Sequence, residues 1–143
     1  MTIIEVLQEK LLGNFYSLFR VGSAFDLYFD DFWLIAHDVI SSDEDDLNKR
    51  LLNGYQPAAE AIDKEDVAKS IVLSATFQKK ITNVELNLDS SLELTFENGV
   101  KLLFPTNTEV VDWQWALNKN AHDPYLGFIV GVFESGEAQL GNC

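Results

Sequence analysis

The sequence predicts an α+β protein: a mostly antiparallel sheet packed with two or three short helices. Three observations carry that prediction. Residues 15–40 and 81–104 alternate apolar and polar side chains with a period of two, broken by turn residues. Short runs near 3–12 and 42–53 space their apolar residues by three and four, the helical period. The 143 residues are 47% apolar and 23% charged with no shift in composition along the chain. That fits one domain over 1–143, with enough core to fold without a disulfide or a metal.

Ile3, Ile4, Leu7, Leu11 and Leu12 define the first helix, and Gly13 stands where a C′ glycine would end it. From Phe15 the period changes. Phe19, Val21, Phe25, Leu27 and Phe29 alternate with Arg20, Asp26, Tyr28 and Asp30. Phe32 to Ile40 is a third apolar run, interrupted by His37 and Asp38. With turns at Gly22-Ser23 and Asp30-Asp31, residues 15–40 read as a three-stranded antiparallel meander. Ser42 then caps a second helix, and Asp43, Glu44, Asp45 and Asp46 occupy the first turn, where acids face the positive end of the helix dipole. Leu47, Leu51 and Leu52 form its stripe and Asn53-Gly54 closes it. Residues 55–66 are the loosest stretch, with Pro57 and the charged run Asp63 to Asp66, and a short helix can start at Asp63. Ile71 to Phe77 reads as a strand, with a continuing helix as the alternative.

Clean alternation returns at Val84, Leu86 and Leu88 and, after the turn Asp89-Ser90-Ser91, at Leu92, Leu94 and Phe96. Asn98-Gly99 between alternating runs is a strong hairpin signal. Val100 to Phe104 returns and Pro105 stops it. Val111, Trp113, Trp115 and Leu117 suggest a strand with both indoles on one face, although Val110, Trp113 and Leu117 also suit a helix. Residues 118–124 read as a polar loop, Phe128 to Phe133 as a strand, and the tail from Glu134 as frayed. Laying Ser23 over Ser90 also superposes Leu27 on Leu94 and Phe29 on Phe96. The units 15–40 and 81–104 are thus candidates for an internal duplication. The alternation places Leu27, Phe29, Leu94 and Phe96 in the core.

The chain carries 10 Lys and Arg against 23 Asp and Glu, a net charge of −13. That balance argues against nucleic-acid binding, which rests on clustered cations. Cys143 is the sole cysteine, so an intrachain disulfide and Cys-based metal or redox motifs are excluded. Glu5 and Glu9 stand where a signal peptide would be apolar, and no apolar run approaches the length of a membrane span. The expected location is the cytoplasm, with no membrane partner. His37 and His122 are each followed by Asp but lack metal spacing, and no Gly-x-Ser-x-Gly or glycine-rich phosphate loop occurs. A calcium loop counted from Asp43 would put Asn48 at the glycine position and Gly54 at the glutamate position, so that match fails. No catalytic residue, metal or cofactor is expected.

The candidate residues are therefore for binding. Asp26 and Asp30 share the outer face of one strand with Tyr28, and Asp31 follows. Glu93 and Glu97 form a similar pair, four residues and so about 13 Å apart along the strand. Asp43, Glu44, Asp45 and Asp46 are the densest acidic patch. Trp113 and Trp115 are the best aromatic group, as interface anchors if exposed and core if buried.

The run Val-Glu-Leu-Asn-Leu-Asp-Ser-Ser-Leu-Glu-Leu-Thr-Phe-Glu-Asn-Gly-Val-Lys-Leu-Leu-Phe over 84–104, with Asp112-Trp-Gln-Trp115, resembles small acidic bacterial immunity proteins. The resemblance is best over residues 70–117. It implies a binding protein rather than an enzyme, one that neutralises a cognate basic toxin, such as a nuclease domain, by direct protein–protein contact. It assigns no contact residues. The alternative is a small-ligand-binding protein or small enzyme, with a pocket between sheet and helices.

Overall fold

The computed structural model describes residues 1–52, 64–106, 112–120 and 122–141. They form three helices, α1 (Ile3–Leu11), α2 (Glu44–Leu52) and α3 (Lys64–Thr76), and nine strands. The strands are β1 (Leu18–Val21), β2 (Phe25–Tyr28), β3 (Phe32–Ala36), β4 (Ile81–Leu86), β5 (Leu92–Phe96), β6 (Lys101–Phe104), β7 (Trp113–Lys119), β8 (Phe128–Phe133) and β9 (Ala138–Leu140). All pairings are antiparallel. One sheet has the order β1-β2-β3-β7-β8-β9, the other β4-β5-β6. Ile40 and Leu103 exchange two backbone hydrogen bonds, 2.8 and 2.7 Å long, and so tie the chain after β3 to the edge of the small sheet.

The local chemistry accounts for these elements. Thr2 and Glu5 form a capping box on α1, the Glu5 carboxylate accepting from the Thr2 N–H at 2.9 Å. Leu12 leaves the helix in an extended conformation and Gly13 follows at φ +75°, where a side chain would be strained. Asn98-Gly99 turns the β5–β6 hairpin with Gly99 at φ +84°. Leu27, Leu34, Trp115, Leu117, Val130 and Val132 of the large sheet share one core with Leu92, Leu94, Phe96, Leu102 and Phe104 of the small sheet, joined by Leu7 and Leu11 of α1 and Val72 and Leu73 of α3. Leu27, Phe29, Leu94 and Phe96 are buried, as their alternation predicts. At the edges, α1 packs on β4, β8 and β9, and α3 on β1 and α2.

Four details differ from the sequence reading. Residues 71–76 are helical, because Ala68, Val72 and Thr76 recur every fourth residue and are buried together, with Lys69 and Leu73 beside them. The N-terminal turn of α2 is held by Ser41, whose hydroxyl accepts from the Asp43 N–H at 3.2 Å, rather than by Ser42. β7 runs on to Lys119, into the segment expected to be a loop. The tail does not fray at Glu134: Ala138 to Leu140 add a strand to β8, with Val130 opposite Leu140. Expectations for Asn53-Gly54, Pro57, Asp63, Val110, Val111 and Cys143 lie outside the described residues. The two meanders share a strand order but not a register: Phe19 faces Leu27 in the first, whereas Leu86 faces Leu92 in the second.

Candidate partner-binding face

The pleat of the large sheet decides which side chains face away from the core. With Leu27, Leu34, Leu117 and Val130 inward, one outward row runs across all six strands: Arg20, Asp26, Ile35, Ala116, Gly131 and Gln139. A second row runs Leu18, Tyr28, Trp33, Asn118 and Phe128. The first row narrows to Ala116 and Gly131 at its centre, and the Phe133 ring lies across it. A Cβ on Gly131 would come within 3.0 Å of that ring. The centre of this face is thus small residues packed under the Phe133 ring, with further aromatic side chains on the same face.

The aromatic side chains of the face are ordered by ring contacts. Tyr28 and Trp33 stack with centroids 5.6 Å apart and planes 7° from parallel. The Trp33 indole N–H donates to the carbonyl of His122 at 2.9 Å, which fixes its plane. His37 and Trp113 stack at 4.0 Å. Phe128 meets Phe133 edge-on at 5.0 Å, and Tyr125 leans on Phe133 at 6.2 Å. Tyr28, Trp33, Ile35, His37, Trp113, Phe128 and Phe133 are half-buried, and Tyr125 is exposed.

Acids surround this surface. Asp112 sits near both His37 and Tyr125. Partial desolvation, then the charges of Asp112, Asp123 and Glu134, push the Tyr125 hydroxyl above its ordinary range. Burial pulls His37 below the usual histidine value, against an upward pull from Asp112. Asp38, Glu65 and Asp66 line a cleft of about 390 Å³ with His37 and Phe25. The Asp30-Asp31 turn is exposed at the end of the Tyr28–Trp33 stack. Burial followed by the Asp26 charge raises the Tyr28 hydroxyl.

The sequence-predicted residues separate in space. Asp26 is a correction: it is 5% exposed rather than part of a solvated stripe, because β2 is an inner strand and its neighbours Arg20 and Ile35 close over it. Its Oδ2 pairs with Arg20 Nε at 3.2 Å and accepts from the Tyr28 hydroxyl at 3.3 Å. Trp115 is the second correction. It is fully buried, its indole N–H donating to Ser90 O at 2.9 Å, so it is core rather than anchor. Trp113 and Trp115 do not share a face, because three residues, 113–115, oppose only Phe133 and Val132, and this bulge reverses the pleat. Trp113 emerges outward against His37. Within the acidic patch, Glu44 turns inward to Lys69 at 3.3 Å and Asp46 pairs with Arg50 at 3.2 Å, while Asp45 is exposed and Asp43 half-buried. Glu97 accepts from the Lys80 N–H at 2.6 Å. Asp30 and Asp31 stay exposed.

Trp33, Ile35 and Phe133 join the face without having been singled out from sequence. For Trp33 and Ile35 the signal was the unbroken apolar run Phe-Trp-Leu-Ile-Ala at 32–36, and for Phe133 the run Phe128 to Phe133, each giving a strand two apolar faces. Among the described residues, no helix is long and apolar enough to cross a membrane, and no three His, Cys, Asp or Glu side chains group as metal ligands. Compared with known proteins, the chain matches no family model, and neither curated proteins nor solved structures give a match.

Proposed function

We propose that this protein is a binding protein that captures a basic protein partner on the outer face of its six-stranded sheet, and that the partner is a toxin domain neutralised by the contact. The supporting observation is the pairing of half-exposed aromatic stacks with an acidic surround on a chain of net charge −13. Interfaces are built this way, with aromatic anchors at the centre and charge at the rim. The acids steer a cationic partner and fix its register, while the rings supply the desolvated contact. The toxin-neutralising role adds the resemblance of residues 70–117 to immunity proteins.

The test is co-expression with the product of the adjacent reading frame. The expected outcome is a cationic product that is toxic alone, harmless with this chain, and bound in a one-to-one complex. Trp33→Ala and Trp113→Ala should each weaken that complex by roughly 30-fold, the scale of an aromatic anchor, with an unchanged circular dichroism spectrum. A neighbouring product that is neither toxic nor bound would refute the neutralising role, and full-affinity Trp variants would move the interface elsewhere.

A further inference from the structure

Asp26 is solvated by its surroundings on one side only. Both internal donors, Arg20 Nε and the Tyr28 hydroxyl, converge on Oδ2, while Oδ1 is buried with no hydrogen-bond partner. A carboxylate offers two oxygens, and a structural pair with arginine is commonly bidentate. Here Arg20 makes a single contact, and its own side chain is 71% exposed. Asp26 borders a cleft of about 580 Å³ together with Arg20, Val21, Gly22, Ser23, Ala24 and Ile35. A buried, half-satisfied anion is costly unless something else completes it.

We infer that Asp26 is the receptor for a guanidinium group, an arginine side chain of the partner that enters the cleft between β1 and β3 and hydrogen-bonds to the free Oδ1. Three features favour guanidinium over ammonium. Its planar fork can span the free Oδ1 and the Oδ2 that Arg20 contacts only singly. It is more weakly hydrated, so it enters a half-buried site at lower cost. The flat Tyr28–Trp33 stack adjoins the carboxylate through the Tyr28 hydroxyl, and arginine packs on aromatic faces. In the free protein Arg20 holds only Oδ2, and being exposed it can swing aside and let the incoming fork take both oxygens. This inference rests on the proposed capture of a basic partner, and names the chemistry by which that face would recognise it.

The experiment uses argininamide as probe and cadaverine as the ammonium control, titrated into the free protein and followed by backbone amide shifts. Argininamide should move Ala24, Asp26, Tyr28 and Ile35 at millimolar concentrations, and cadaverine should not. Asp26→Asn should weaken binding by at least about tenfold, the scale of a charge-assisted hydrogen bond. Arg20→Ala should strengthen it several-fold by removing the internal competitor, an outcome that a purely structural ion pair would not give. No shift in these residues, equal binding of cadaverine, or weakened binding in Arg20→Ala would each overturn the inference. Arg20 is exposed, so its variant decides the matter even where Asp26→Asn does not fold. The probe needs no partner protein: argininamide binding with no toxin complex would refute the proposed function and leave this site standing.

Discussion

Tyr16 is fully buried where the two sheets meet α3, with its ring about 6 Å from those of Phe19, Phe29, Phe77 and Phe96. Its hydroxyl donates to the carbonyl of Leu73 and shares a hydrogen bond with Thr76. Burial drives that hydroxyl far above its ordinary range, so it stays protonated at any working pH. Urea unfolding should show Tyr16→Phe costing about 1 kcal/mol, since the Leu73 carbonyl keeps the Thr76 hydroxyl, and Tyr16→Ala about 3–5 kcal/mol. His37 gives a second prediction. Its folded pKa lies below the ordinary 6.5, so the unfolded chain binds the proton more readily. Stability therefore rises with pH between the folded value and about 6.5, and is lost as pH falls through that interval. Between about pH 7.5 and 5.5 the wild type should lose more stability than His37→Gln, measured by denaturant midpoints at each pH. At this scale the sequence showed chemistry but not neighbours. Asp26 and Asp30 look alike in an alternating strand, yet one lies under Arg20 and Ile35 and the other in a turn. Only the cross-strand partners separate them.

At the level of elements, α2 is fastened to α3 by Lys69. This side chain is 9% exposed and reaches Glu44 Oε2 at 3.3 Å and Asp38 Oδ1 at 3.9 Å. The two acids are themselves partly solvated, which tempers the cost of losing the cation. Lys69→Ala should destabilise by about 2 kcal/mol, whereas Asp45→Asn in the same acidic turn should stay within about 0.5 kcal/mol, both by thermal unfolding. The six strands of the two meanders were legible because each strand has one buried face and a turn signal beside it. The segment 71–77 was not, since Ile71-Val72 is β-branched and too short a run to separate the two periods. The bulge at Gln114 was invisible for a different reason. An inserted residue changes the phase of the pleat without changing composition, and only the Phe133–Val132 pairing reveals it.

For the whole molecule, the charge of −13 bears on stability and on the proposed capture of a basic partner. Like charges repel most in the compact state, so raising salt from near zero to physiological strength should raise the melting temperature by a few degrees. The same salt should slow capture of a basic partner, with the change in the association rate rather than the dissociation rate, in stopped-flow measurements. The α+β class was legible in the sequence, but the sheet order was not. Local alternation specifies that strands exist, and β3 joining β7 rather than an immediate neighbour depends on packing across the interior. The candidate face was partly legible for the same reason: its acids and Trp113 were visible, but the sheet that assembles them pairs β1–β3 with β7–β9.

That long-range seam has a consequence for biosynthesis. Trp33 on β3 reaches the backbone at Lys119 on β7, 86 positions further along the chain. A ribosome needs on the order of ten seconds to add the intervening segment. During that interval the first meander has an unpaired β3 edge beside exposed aromatic side chains, while the second meander closes locally on its own hairpins. Nascent chains should therefore be most exposed to misassociation, and most dependent on holding chaperones, after β3 has emerged and before β7 arrives to seal it.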